Sequence, residues 1–201
     1  MTLVIGALVL AWSLSIEPAD SLFYPATALL AAVWFGGGYA ARRAGTRSTS
    51  SVPVVRARAA VLGVVVGVAL ALAFLAGALV LTRIPDLRDP VQALLDNADR
   101  GIFPVVLTLA LVNGVAEKFF FRGALYDALH PYAPIISTTV VYTLVTAAAG
   151  IWMLAFTGLV LGGVCAMMRH RTGGITACIA AHLAWLLGMI LLLPRALDLG
   201  S

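Results

Sequence analysis

Long apolar runs dominate the chain, and the places where they break define its elements. Leu3 to Ile16 is apolar almost throughout and stops at Glu17-Pro18; Leu22 to about Ala41 is a second run and Ala59 to Leu81 a third. A fourth, Ile102 to about Leu125, carries charge inside it. Ala133 to Met168 is too long for one crossing and contains Ala149-Gly150, which predicts two spans joined by a tight turn there. The last run, Gly174 to Leu193, is expected to end at Pro194, because proline removes a helix hydrogen bond and clashes with the turn before it. A spanning helix needs about 20 apolar residues, so these runs predict an all-α integral membrane helical bundle of six to seven transmembrane helices.

The polar breaks set the expected topology. The seventeen residues from Arg42 to Arg58 hold five arginines and no acid. Positive loops stay cytoplasmic, which puts this loop and the N-terminus inside and Glu17 to Asp20 outside. Arg169-His170-Arg171 then falls inside as well. Outward, Arg83 to Arg100 mixes charges around Pro85 and Pro90, and a short interfacial helix is expected over Val91 to Ala98. The first run lacks a basic leader and a small-residue cleavage pattern, so it reads as a retained helix. Two parts result: residues 1–100, with N-terminal helices and the basic loop 42–58, and residues 101–201, a four-helix membrane core.

Composition removes the soluble alternative. Hydrophobic residues make up 62% and charged residues 11% of the chain, and mean hydropathy is +1.02, outside the range of soluble domains. Membrane lipid is therefore the first partner, and the basic loop touches anionic lipid; nucleic acid is not an expected partner. High Ala, Val, Leu, Gly and Arg usage points to a bacterial plasma membrane.

Chemistry concentrates at Glu117-Lys118-Phe119-Phe120-Phe121-Arg122. An ionisable side chain at a membrane helix centre costs about 2.5–3.5 kcal/mol on insertion scales, so such groups face a cavity or each other. On a regular helix Asn113, Glu117 and Phe121 share one stripe, with Lys118 and Arg122 on a neighbouring stripe about 100° away. Arg122 lies near the cytoplasmic end, where it can snorkel to phosphates, while Lys118 sits deeper and needs a partner. In the last run Cys178, His182 and Leu186 form a stripe with His182 roughly 12 Å deep, a level that Glu117 shares. A carboxylate and an imidazole at one depth could orient a water and stabilise an oxyanion. The alternative is structural: Glu117 pairs with Lys118, Arg122 or His182 to hold helices together. Asn113, Tyr142, Thr143 and Thr146 read as interhelical hydrogen-bonding groups, and His130 and His170 as loop residues.

Several chemistries are not expected. Cys165, Cys178 and His182 offer zinc-ligand types, but no C-x-x-C or H-E-x-x-H spacing occurs, and the cysteines read as reduced, buried and inert; no metal or other cofactor is expected. Gly36-Gly37-Gly38 and Gly162-Gly163 lie in apolar helices and read as close-packing positions, not phosphate loops.

Glu117-Lys118-Phe119-Phe120-Phe121-Arg122-Gly123 resembles the first motif of the CPBP family, the CAAX protease and bacteriocin-processing membrane proteins also called the Abi family. That motif is a glutamate pair, three residues and an arginine, and Lys118 stands where the second glutamate is expected. Its second motif, an aromatic followed four residues later by histidine, is matched here by Tyr142 with Thr146, so the histidine is changed. Gly158 to Gly162, Arg171 to Gly174 and Ala181-His182 are similar to the family's glycine-rich helix and final histidine, with Leu186 where an asparagine is expected. The resemblance covers roughly Pro104 to Leu193. It implies Glu117 as general base, His182 as oxyanion donor and Arg122 as organiser of the helix end, with Lys118, Thr146 and Leu186 as changed positions. Implied, too, is an intramembrane endopeptidase of the glutamate type acting on a membrane-associated, CAAX-like or peptide substrate.

Two functions stay open on these residues. One is that endopeptidase, with the changed positions compensated by Asn113 or Thr146. The other is a pseudoprotease that keeps the fold as a scaffold, a partner of another membrane protein or an immunity factor. A transporter would need more polar residues along one continuous path than this chain carries.

Overall fold

The computed structural model describes residues 1–16, 20–45, 53–81 and 103–198. Helices follow in the order α1 (Thr2–Ser15), α2 (Phe23–Arg43), α3 (Pro53–Leu81), α4 (Phe103–Lys118), a π-helical turn π1 (Phe119–Ala124), α5 (Leu125–Ala128), α6 (Pro134–Ala147), α7 (Trp152–Thr172) and α8 (Thr176–Asp198). No strand occurs among the described residues. Arg56–Val80, Phe103–Ala128, Trp152–Thr172 and Thr176–Arg195 are long and apolar enough to cross a membrane, while Thr2–Ser15 and Pro134–Ala147 are shorter apolar helices. An all-α membrane bundle is the outcome, as the apolar runs predict. The short helix expected over Val91 to Ala98 lies outside the described residues.

Most boundaries fall within two residues of expectation, and the exceptions have physical causes. Helix α3 begins at Pro53, so Arg56 and Arg58 ride on its first turns instead of lying in a loop. Proline is at home in a first helical turn, where its missing N–H has no partner to lose. At the other end α8 does not stop at Pro194 but continues to Asp198. Proline removes one intrahelical bond, and the Arg195 guanidinium donates to the nearby Leu191 carbonyl. The predicted break between α6 and α7 is present, with Gly150 at φ +75°, a left-handed turn that glycine adopts without cost.

Small residues set the tightest packing. Helix α3 lies along α8 more extensively than any other pair. A Cβ built on Gly63 would fall 2.7 Å from the Ala180 Cβ, one on Gly67 2.8 Å from the Ala184 Cβ, and one on Gly188 2.7 Å from the Ala71 Cβ. Close backbone approach of this kind replaces the hydrophobic drive that is missing between helices in lipid. On the other side, Trp34 of α2 is 1% exposed and stacks on Phe120 and Phe121, at centroid distances of 5.2 and 4.9 Å. This aromatic cluster clamps π1 against α2.

Candidate functional site

The site is built where α4, π1, α6 and α8 meet. The Glu117 carboxylate Oε2 accepts a hydrogen bond from the Tyr142 hydroxyl at 2.7 Å. The Lys118 ammonium lies 3.5 Å from the same oxygen and donates to the Tyr142 hydroxyl at 3.1 Å. Tyr142 of α6 thus links two neighbouring side chains of α4 that a regular helix would splay apart. Lys118 is fully buried, while the Glu117 side chain is 15% exposed. That asymmetry follows from charge: a buried ammonium persists only beside a compensating acceptor.

Glu117, Tyr142, Thr146, His182, Leu186 and Asn113 line one cavity of about 220 Å³. His182, reached from α8, therefore does share the level of Glu117. The imidazole packs on Gly114, where a built Cβ would sit 2.6 Å from its Cδ2 and 2.9 Å from its Nε2. Glycine one turn above Lys118 is what lets α8 bring the ring this close. Trp185, also in the wall, lies 5.9 Å from the His182 ring and 5.5 Å from Phe74, measured between centroids. Trp185 was not singled out from the sequence, although its place three residues after His182 puts both on one face. Thr157 borders both this cavity and an apolar groove of about 600 Å³ walled by Phe74, Phe156 and Met189.

Arg122 departs from expectation. It does not snorkel but is 0% exposed, and its Nη1 donates to the Thr138 Oγ1 at 2.5 Å. Arg122 lies in the π turn, a feature that recurs at functional sites, and its guanidinium carbon lies 5.6 Å from the centre of the Tyr142 ring, over which the Lys118 ammonium also sits, at 4.4 Å. Arg122 is not in the wall of the Glu117 cavity. Among the described residues its Nε and Nη2 have no hydrogen-bond partner. Thr146, at the expected histidine position, spends its hydroxyl on the Tyr142 and Thr143 carbonyls of its own helix, at 3.1 and 3.0 Å. Leu186 brings only methyl groups to the wall.

Cys165 and Cys178 are free and buried, each donating weakly to the other's carbonyl, at 3.8 Å from Cys165 and 3.0 Å from Cys178. Among the described residues no group of three or more His, Cys, Asp or Glu is arranged to hold a metal. His170 proves helical, not a loop residue, with its Nδ1 3.4 Å from the Tyr126 hydroxyl. Beside it, the Arg169 Nη2 donates to the Asp127 Oδ1 at 2.7 Å and ties the end of α7 to α5.

A bundle of apolar helices enclosing a carboxylate, an ammonium and an imidazole defines the class: an integral membrane protein with a polar site between its helices. Residues 99–187 match the family model described as type II CAAX prenyl endopeptidase Rce1-like, so this stretch is similar to the CAAX protease family that its motifs resemble. Helices α1, α2 and α3 lie outside the matched stretch. No curated protein and no solved structure matches the chain.

Proposed function

We propose that this protein is a CAAX-protease-like membrane protein that receives a segment of a membrane-associated polypeptide in the Glu117–His182 cavity and does not hydrolyse it. The observation that carries this reading is the commitment of Glu117. Its Oε2 is held by Tyr142 and faced by the Lys118 ammonium. A general base must be free to take a proton from water, and here its charge is already matched. Thr146 turns its hydroxyl to its own backbone, and Leu186 offers no donor to an oxyanion. Loss of one such donor costs about 10²–10³ in rate. Glu117, Lys118 and Tyr142 then act as a polar clasp between α4 and α6. The bundle serves as a partner or scaffold, with residues 101–201 as its core. Its arginine-rich end, with Arg42, Arg43 and Arg171, is read as cytoplasmic in a bacterial plasma membrane.

A second reading, the working endopeptidase, is favoured by the partial exposure of Glu117 on the cavity that also holds His182. The two separate in one experiment. Newly formed protein termini are compared in host membranes carrying the protein or its Glu117→Gln variant at matched abundance. Identical profiles are expected. Termini that vanish with the substitution would overturn the non-hydrolytic reading and make Glu117 the base. Should the single variant fail to accumulate, the Glu117→Gln/Lys118→Met pair removes both charges and keeps the comparison possible.

A further inference from the structure

The apolar groove of about 600 Å³ lies between α3, α7 and α8, in the half of α3 away from Arg56 and Arg58. Its wall reaches from Leu70 to Val80 along α3 and from Trp152 to Val160 along α7, with Met189 and Leu193 of α8. Apart from Thr157 and the Trp152 indole N–H, its side chains offer only apolar groups. It opens outward: Val80, Trp152 and Phe156 are 64%, 50% and 53% exposed, while Ala78 and Leu193 in the same wall are buried. Gly77 leaves the space. A Cβ built there meets nothing within 4 Å, whereas Gly63 and Gly67, earlier in α3, are pressed against α8. Glycine weakens a helix interior relative to alanine, and at Gly77 no packed neighbour requires it.

Dimensions select the occupant. From Leu70 to Val80, at a rise of about 1.5 Å per residue, the groove is about 15 Å long. That is half of the hydrocarbon core of about 30 Å, the depth of one leaflet. Spread over this length, its volume of about 600 Å³ gives a mean cross-section of about 40 Å². A helix with its side chains is about 10–12 Å across and needs about 80–110 Å², so neither a partner's helix nor one of a second copy fits inside. The connection 82–102 carries seven charged residues, which an apolar slot does not solvate, and an extended peptide would leave its backbone groups unpaired there. A hydrocarbon chain has neither handicap. Trp152, in the first turn of α7, marks the mouth at headgroup level, where indoles concentrate.

We infer that this groove holds one acyl chain of a bilayer phospholipid, lying along α3 with its headgroup end at Trp152. The lipid belongs to the leaflet farther from the arginine-rich end, and Gly77 is the position that makes room for its chain. Thr157 lines both spaces, so the lodged chain lies against the wall of the Glu117 cavity. The inference goes beyond the reading of that cavity and does not depend on it.

The test uses the full chain in phosphatidylcholine vesicles in which a small share of the lipid carries a photoactivatable diazirine midway along one acyl chain. After irradiation the attachment sites are mapped by mass spectrometry of the digested protein. Attachment per residue at Phe74, Met153 and Met189, which line the groove and are only partly exposed, should exceed that at Val61, Val65 and Ile136, which are 66%, 61% and 67% exposed outside it. Gly77→Leu, whose side chain enters the open space, should bring groove attachment down to the level of these references and leave the references unchanged; Gly77→Ala, which adds one methyl, should keep it. Should the leucine variant fail to accumulate, Ala73→Leu, on the exposed part of the same wall, takes its place. Groove attachment no higher than the references in the unaltered protein marks ordinary bilayer contact and overturns the inference. Attachment absent from the groove shows that a second copy or another segment of the chain covers it, and overturns the inference equally. So does attachment that survives the filling of the groove in a folded variant. None of these results alters the comparison of termini, so the non-hydrolytic reading stands or falls separately.

Discussion

Removing both charges of the Glu117–Lys118 pair should cost less than the sum of removing each alone. The two groups lie 3.5 Å apart, and Lys118 has no exposed side-chain surface. At an effective dielectric constant of about 20 their gross attraction is about 5 kcal/mol, before the desolvation that offsets most of it. Glu117→Gln leaves the ammonium buried with no counter-charge, beside neutral acceptors only: the Tyr142 hydroxyl, 3.1 Å away, and the amide oxygen of the new side chain. Breaking a buried pair in this way costs about 3–5 kcal/mol. Lys118→Met strands a carboxylate that keeps the Tyr142 hydrogen bond and 15% exposure, so its loss should be smaller, about 2 kcal/mol. With both replaced, no charge stays buried, and methionine fills the space with apolar contact. The double variant should then recover about 2 kcal/mol or more relative to the sum of the singles, within the range of couplings measured for touching residues. Reversible unfolding of the four proteins in mixed micelles measures the cycle. Additivity within about 0.5 kcal/mol would refute the clasp and with it the main physical ground for calling Glu117 committed.

Two other outcomes follow from close packing and burial. Gly114→Ala places a methyl 2.6 Å from the His182 ring; the ring must move, at about 1–3 kcal/mol of stability, visible in the same unfolding assay and absent in Gly36→Ala, where nothing lies within 4 Å. Cys165 and Cys178 are free with no exposed surface, so a maleimide should label neither in the folded protein and both after denaturation; labelling of the folded protein would show that the seam between α7 and α8 opens.

Much of this architecture is written in local sequence. Apolar runs long enough to span, the glycine break at Ala149-Gly150 and the arginine-rich segment each depend only on neighbouring residues, so helix number and order were legible without coordinates. The charged motif was legible too, because an ionisable group inside an apolar run is costly wherever its partner lies. Gly63 and Gly67 carry a small-residue signal at four-residue spacing that stands out less in the sequence than the glycine clusters at Gly36 and Gly162. Their role shows only once Ala180 and Ala184 of another helix face them.

Which partner each polar group takes is decided in three dimensions. Regular-helix geometry puts Lys118 and Arg122 on one stripe, and both do lie over the Tyr142 ring, but Arg122, in the π turn over Phe119–Ala124, is buried on Thr138 while Lys118 takes Tyr142 and Glu117. That turn is held by Trp34 and other residues distant in sequence, so no window around the motif could reveal it. The same holds for Trp185. In the sequence it is one aromatic among many apolar residues, and it joins the site only because the packing of α8 sets it in a common wall with Asn113 and His182. Local hydrophobicity thus chose the helices and their order, while the hydrogen-bonding demand of buried polar atoms, met or unmet by residues from other helices, made a site of them.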